Sequence, residues 1–364
     1  MSAVLHTKLC DLFEVRYPII QTAMGWVATP ELVAGTANAG AMGFLAVATS
    51  RPDEADRAIA RTKELTDRPF GVNFLMEQPG AADIVDSIVA HRVKAASYSR
   101  SPNARFIERF KEAGILCVPT VGQARHALKA VELGADIVVA QGGEGGGHTG
   151  SVPTSLLLPQ VVEAVDIPVV AAGGFHSGRG LVAALAYGAV GIAMGTRFLM
   201  TAESPVPRAT LDRYLAASVT DTRVTREIDG LPHRVLVNEL LKRLEAGNAI
   251  GRLVRALRSG LAYRRLSGAS IKDLLSSALS MRKNERLTRT QMLMAANSPI
   301  LIQRAMVEGR PAEGVLPSGQ VAGVIDSLPS CQQLIDTIIA EAGQSLAGLS
   351  RLAGQSKQEK EHVA

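Results

Sequence analysis

The feature that most restricts the fold of this 364-residue chain is a regular alternation, over its first 200 residues, of short apolar runs with helix-forming segments. Eight runs qualify as strands, at 18–22, 42–47, 70–74, 93–97, 115–120, 136–140, 168–172 and 190–194. Runs that are apolar on both faces and separated by helices indicate a parallel sheet buried on both sides. The separating segments carry helix punctuation. Thr29-Pro30-Glu31 reads as an N-cap followed by proline in the first turn, and Gly40, Gly114, Gly134 and Gly188 stand where helices should stop. Eight β-α units of about 25 residues match the repeat of a closed TIM (β/α)₈ barrel, with a doubly wound open sheet as the runner-up.

After the eighth run the pattern changes. Residues 204–308 read as helix-rich, with no further strand runs and many arginines. Over 201–310 there are 19 Lys+Arg against 10 Asp+Glu, a local charge of +9, which leaves −4 for the rest of a chain whose net charge is +5. We therefore expect a barrel at 1–200 and a basic helical insertion at 201–310 near the active-site face. A returning loop, a last helix at about 330–352 and a disordered polar tail from Gln355 should fill 311–364.

The chain is 47% hydrophobic and 20% charged, the make-up of a globular enzyme with a large core. Cys10, Cys117 and Cys331 are odd in number and far apart, which argues against a disulfide framework and against structural zinc. The N-terminus has no signal-like apolar core and no apolar run reaches membrane-spanning length, so a cytoplasmic protein is expected. The basic residues are not interleaved with aromatics in the manner of a nucleic-acid surface.

In a barrel of this kind the loops after the strands build the site, and phosphate is commonly held after strands 7 and 8. Here strand 7 runs into Gly173-Gly174 and strand 8 into Gly195-Thr196-Arg197, so bare backbone amides and one hydroxyl can converge on a dianion. One glycine turn alone would be ordinary punctuation; the pair at these two strands is the signal. Arg197 could pair with the phosphate or turn away into a structural contact. After strand 6 comes Gln141-Gly142-Gly143-Glu144-Gly145-Gly146-Gly147-His148-Thr149-Gly150, six glycines around a single imidazole. Such a loop passes close to a flat ligand and aims one group that titrates near pH 7, which makes His148 the candidate acid/base. The other six histidines read as structural or solvent-exposed. Gly145, Gly147 and Gly150 match GxGxxG by spacing, but Pro153 follows and no helix opens directly, so no dinucleotide domain is read. Met24, after strand 1, and Asn73, ending strand 3, offer a thioether and an amide to a flat cofactor.

Together these residues resemble the nitronate monooxygenase (2-nitropropane dioxygenase-like) flavoproteins, a family that includes FMN-dependent enoyl-acyl-carrier-protein reductases. The likeness rests on Pro18-Ile19-Ile20-Gln21, Met24-Gly25-Trp26-Val27-Ala28, Gly71-Val72-Asn73, the stretch from Glu144 to Gly150, Ala171 to Gly174, and Gly195-Thr196-Arg197-Phe198. The resemblance implies non-covalent FMN with the backbone near Ala23 and Met24 against its ring, Asn73 on the flavin, Gly146 and Gly147 beside it, and Gly173, Gly174, Gly195 and Thr196 at its phosphate. It implies a catalytic role for His148, and a late segment, Ser318-Gly319-Gln320, folded back over the site. Ile192-Ala193-Met194 departs from the Val-Gln pair frequent in relatives before the Gly-Thr-Arg turn.

The main expectation is oxidation of a small carbon acid or nitronate. The alternative is a dehydrogenase or reductase acting α,β to the thioester of an acyl-CoA, as in actinobacterial steroid-ring degradation, with the basic insertion attracting coenzyme A phosphates. Expected partners are the small-molecule substrate, NAD(P)H or oxygen as electron partner, and a second copy in a homodimer, with neither nucleic acid nor membrane.

Overall fold

The computed structural model describes residues 5–99, 102–247, 259, 294 and 297–361. Strands β1 (Ile19–Gln21), β2 (Met42–Ala46), β3 (Gly71–Asn73), β4 (Ala95–Tyr98), β5 (Leu116–Val121), β6 (Val138–Gln141), β8 (Val169–Ala172) and β9 (Ile192–Met194) close into a parallel barrel in that order. The two-residue strand β7 (Gly147–His148) stands outside it. The register Ile20↔Ala193 and Gln21↔Met194 seals β1 to β9. All eight expected runs are staves of this barrel.

Strand periodicity explains how the barrel fills. Successive side chains point to opposite faces, so Val170 and Ala172 enter the interior with Ile20, Phe44, Val118, Val139 and Ala193, while Val169 and Ala171 face the surrounding helices. The helix Lys8–Phe13 adds Leu9 and Phe13 to the interior cluster, and Phe13 meets Phe44 edge-on at 6.1 Å between ring centroids. Burying each such side chain contributes about 1.5–3 kcal/mol. Gly40, Gly114, Gly134 and Gly188 follow helices as expected and take left-handed conformations.

The long helix Cys331–Glu361 lies against the helices Gly178–Ala186 and Pro30–Asn38. The crossing is close because residue 178 is glycine, where a Cβ would fall 2.2 Å from the Ile338 carbonyl oxygen. The Gly178 amide donates to Glu341 Oε2 at 2.8 Å, and the Cys331 amide donates to both oxygens of Glu203 at 2.9 Å. The polar tail expected to be disordered instead continues this helix to Glu361, in keeping with the helix propensity of Gln, Lys and Glu.

Beyond β9 the described residues form the helices Arg208–Leu215, Glu239–Glu245 and Asn297–Met306. The expectation of no further strands fails. β10 (Thr222–Thr225) and β11 (His233–Leu236) form an antiparallel hairpin, and β11 pairs with β7 to make a three-stranded sheet beside the barrel. Each run is only four residues long and carries an arginine, so its apolar content is too low to read as a buried strand; cross-strand pairing supplies the stability that local pattern does not show. Much of the +9 segment at 201–310, on which the expectation of a basic coenzyme A surface rested, lies outside the described residues, at 248–258, 260–293 and 295–296. Among the described residues no helix is long and apolar enough to cross a membrane.

Candidate active site

The carboxyl ends of the strands bring most of the expected residues together. A Cβ on Gly195 would meet Thr22 Oγ1 at 3.0 Å and Met24 Sδ at 3.5 Å, so the loops after β9 and β1 touch. Gly173 and Gly174 take φ of +92° and +86°, a backbone that an L side chain rarely adopts. A Cβ on Gly174 would lie in ordinary contact with the Glu144 side chain at 3.7 Å, whereas one on Gly173 would fall 2.9 Å from the Gly142 carbonyl oxygen. Thr196 starts a short helix and accepts at Oγ1 from the Gly319 amide at 2.9 Å, while the Gln320 amide donates to the Glu144 carbonyl at 3.0 Å. The Ser318-Gly319-Gln320 segment is thus folded onto both the Gly195-Thr196 turn and the glycine loop. Gly146 is the contact point, since its Cβ would fall 2.5 Å from Gly319 N and 2.6 Å from Ser318 C. Its smallness serves the returning segment, whatever else passes beside it.

Asn73 ends β3 and spends Nδ2 on the Ser97 carbonyl at 3.1 Å and hydroxyl at 3.3 Å, so its Oδ1 is the end left to offer. Ala23 packs partly buried against the barrel interior. Arg197 spends its guanidinium on backbone carbonyls. It is buried and donates from one nitrogen to the carbonyls of Met200 at 2.5 Å and Ser327 at 2.8 Å; burial pushes its pKa down to about 10. The structural reading of this arginine is the one realised.

The glycine loop after β6 is tied at several points. Gln141 Nε2 donates across it to the His148 carbonyl at 3.0 Å. The Glu144 carboxylate accepts from the Thr154 amide at 3.0 Å and lies 2.7 Å from its hydroxyl, joining the loop to the helix Thr154–Ala164. Arg234 Nε donates to the Gly143 carbonyl at 3.0 Å and Nη1 to Thr222 Oγ1 at 3.1 Å. Burial lowers the Arg234 pKa. Pairing of Gly147 with Arg234 and of His148 with His233 fixes the loop against the hairpin.

His148 therefore has neighbours no local pattern indicated. Its Nε2 lies 2.7 Å from Asp229 Oδ2, and its ring stacks on His233 at 4.5 Å between centroids, tilted by 35°. Asp229 and His233 are 4% and 2% exposed, whereas the His148 side chain is 41% exposed. Burial alone would raise the Asp229 pKa, but hydrogen bonds from His148 and His233, with their charge, outweigh it and hold the carboxyl well below the usual carboxylate range. The ligand-type atoms of the three residues lie within 4.8 Å of one another. The 2.7 Å separation is that of a charge-assisted hydrogen bond, shorter than the roughly 3.3 Å between ligands on a tetrahedral zinc with bonds of about 2.0–2.1 Å. His233, read from sequence as one of six ordinary histidines, is in fact buried against the candidate acid/base. Asp229 and Arg234 were missed because they sit in the segment read as helical. The available signal was the turn-forming Asp229-Gly230-Leu231-Pro232 stretch just before His233–Leu236.

Comparison with known proteins decides the family. The model of the nitronate monooxygenase family matches residues 6–98 and 84–341. The chain belongs to that family. Among curated members of known sequence, it is 49% identical over 350 residues to a (3aS,4S,5R,7aS)-5-hydroxy-7a-methyl-1-oxo-octahydro-1H-indene-4-carboxyl-CoA dehydrogenase of Rhodococcus jostii, covering 96% of this chain and 99% of that one. It is 48% identical over 351 residues to the protein of the same description from Mycobacterium tuberculosis, with the same two coverages. Among solved structures, FabK from Thermotoga maritima superposes with a TM-score of 0.78 at 31% identity, over 95% of this chain and 99% of that one. As a nitronate monooxygenase family member the chain is an oxidoreductase, and the family supports a flavin as its cofactor.

The residues present fit a flavin. Gln21 is wholly buried at the end of β1, gives its Nε2 to the carbonyls of Thr22 and Phe44, and leaves Oε1 with no partner. Trp26, in the loop that follows, is held at φ +68°, a placement costing a bulky residue about 1–3 kcal/mol and typical of backbone shaped around a ligand. Beside them stands the double-glycine turn, both residues at positive φ.

Proposed function

We propose that this protein is an FMN-dependent dehydrogenase that removes hydrogen α,β to the thioester of a fused-ring carboxyl-CoA, with His148 as its acid/base. The observation that carries this reading is the 49% identity, end to end, with an indene-carboxyl-CoA dehydrogenase. A probable nitronate monooxygenase of Staphylococcus saprophyticus shares 33% over only 66% of the chain. The ranking drawn from sequence, with nitronate oxidation first, is thereby reversed; the family model keeps that chemistry as the second reading.

In this reading Gly173, Gly174, Gly195 and Thr196 would hold the FMN phosphate. Ala23 and Met24 would lie by its ring, Asn73 and the unpartnered Gln21 carbonyl would offer acceptors to it, and Gly146 and Gly147 would border it. The flavin supplies the acceptor for two electrons. The chain itself orients the thioester, excludes water with the 318–320 segment and moves the α-proton at His148. Oxygen, or the oxidised form of the NAD(P)H couple, would take the two electrons from the reduced flavin, and the assembly is a homodimer.

The test is anaerobic mixing of the flavin-loaded protein with a bicyclic carboxyl-CoA, a nitronate, NADH or NADPH, following loss of the visible flavin band. The thioester should bleach it fastest. Bleaching by the nitronate alone would return the function to the second reading, and a protein that cannot be loaded with FMN would refute both. His148→Ala should retain flavin but slow its reduction by about 10²-fold or more.

A further inference from the structure

His148 has two ring nitrogens, and its environment treats them differently. Nε2 is committed to Asp229 Oδ2 at 2.7 Å, while Nδ1 makes no hydrogen bond to any described residue. The Asp229 carboxylate is in turn fixed on its other oxygen, because Oδ1 accepts from the Leu231 amide at 3.1 Å. The carboxylate thus cannot rotate without breaking a bond to the backbone. Ionised carboxylates only accept hydrogen bonds. The proton between the two residues must therefore sit on Nε2.

We infer that Asp229 is the positioning residue of His148, holding it as the Nε2–H tautomer so that Nδ1 is the atom that exchanges the substrate proton. This rests on the acid/base reading of His148. In the forward direction the α-carbon's C–H bond breaks, its electron pair stays on the substrate as the thioester enolate, and the proton forms a new bond to Nδ1. The imidazolium so created faces a buried anion already in place. The enolate's electron pair then closes the α,β double bond as the β-carbon's C–H bond breaks and its pair departs with the hydrogen as hydride, which a bound flavin would accept.

Asp229 also explains the architecture around the loop. The glycines after β6 give the His148 backbone little stiffness of its own, and the ring is 41% exposed on its side chain. Pairing of β7 with β11 sets the backbone, and the carboxylate, 81 residues away in sequence, sets the ring. A general base on an unfastened glycine loop would sample many orientations, and misplacement by about 1 Å can cost on the order of 10²-fold in rate.

Asp229→Asn tests this sharply. The Leu231 amide keeps the amide oxygen at the Oδ1 position, so the new NH₂ group takes the Oδ2 position and donates to His148 Nε2. That forces the proton onto Nδ1, the nitrogen needed as base, with almost no change of shape. In protein labelled with ¹⁵N at histidine, the His148 signals, assigned by their loss in His148→Ala, should show Nε2–H in the wild type and Nδ1–H in Asp229→Asn. Flavin reduction should fall by roughly 10²- to 10⁴-fold with little change in the apparent substrate constant. Asp229→Asn should keep its flavin affinity, and thermal melting verifies that it is folded. A wild-type His148 carrying its proton on Nδ1, or an Asp229→Asn protein of normal tautomer or normal rate, would overturn the inference. The tautomer is read without substrate, so failure of every thioester to reduce the flavin would count against the proposed function and leave this result standing on its own.

Discussion

Replacing Gly146 with alanine probes how the late segment closes the site. The added methyl would fall 2.5 Å from Gly319 N and 2.6 Å from Ser318 C. Both are backbone atoms, and ordinary contact needs at least about 3.5 Å, so the segment must withdraw by about 1 Å or the glycine loop must yield. Overpacking of this sort costs typically 1–3 kcal/mol. Withdrawal also stretches the bonds from Gly319 to Thr196 and from Gln320 to Glu144, at 2.9 and 3.0 Å, each worth about 1 kcal/mol net. A global melt is a blunt instrument here. At about 2.1 cal/mol/K per residue, a chain of 364 residues moves its midpoint by only ~1.3 °C per kcal/mol. The sensitive assays are amide hydrogen exchange over 316–322 and flavin affinity by fluorescence titration. Opening of the segment should speed exchange there by about 10- to 10²-fold, since 1.4 kcal/mol is a factor of ten, and weaken flavin by a similar factor. Exchange and affinity both within about threefold of wild type would refute the close approach of Gly146 to this segment.

Arg197→Ala should destabilise the fold by about 2–4 kcal/mol, because it removes the donor from the buried Met200 carbonyl and from the Ser327 carbonyl and leaves a cavity. Its flavin affinity, measured below the melting transition, should stay near wild type, and a large loss would return this residue to the phosphate site. The thiols of Cys117 and Cys331 are pushed up to about 12, first by burial and then by the charges of Asp136 and Glu203 respectively. Their folded pKa lies above the unfolded value of about 8.5, so the stability they contribute is present below that pH and is lost as pH rises toward 12. Denaturant unfolding should therefore show stability falling by up to about 1.4 kcal/mol per pH unit for each thiol above about 8.5, a slope that Cys117→Ala or Cys331→Ala reduces.

Local chemistry made much of this molecule legible. Short runs of six or fewer residues, apolar on both faces, are the barrel staves, and the eight barrel strands fall where those runs do. The paired turns at Gly173-Gly174 and Gly195-Thr196 needed only their position after two particular strands to be read as an anion cradle. The isolation of His148 in a loop of glycines was visible for the same reason: side-chain type and backbone permissiveness are properties of neighbouring residues.

What the sequence could not decide is which distant segments meet. The hairpin formed by β10 and β11 is two four-residue runs bearing Arg223 and Arg234, stable only because it pairs with itself, with β7 and with the returning segment near Pro317. Arg197 was ambiguous between anion and backbone until burial settled its partners. Asp229 reaches His148 across 81 residues, and Gly319 reaches Thr196 across 123. Such contacts depend on the closed shape of the barrel and on the course of the chain beyond it, which no short-range periodicity encodes. Sequence alone determined the barrel, its paired glycine turns and the imidazole on its glycine loop. Tertiary structure decided which nitrogen of that imidazole is free to act, because only there do a buried carboxylate and the glycine loop come within a hydrogen bond of each other.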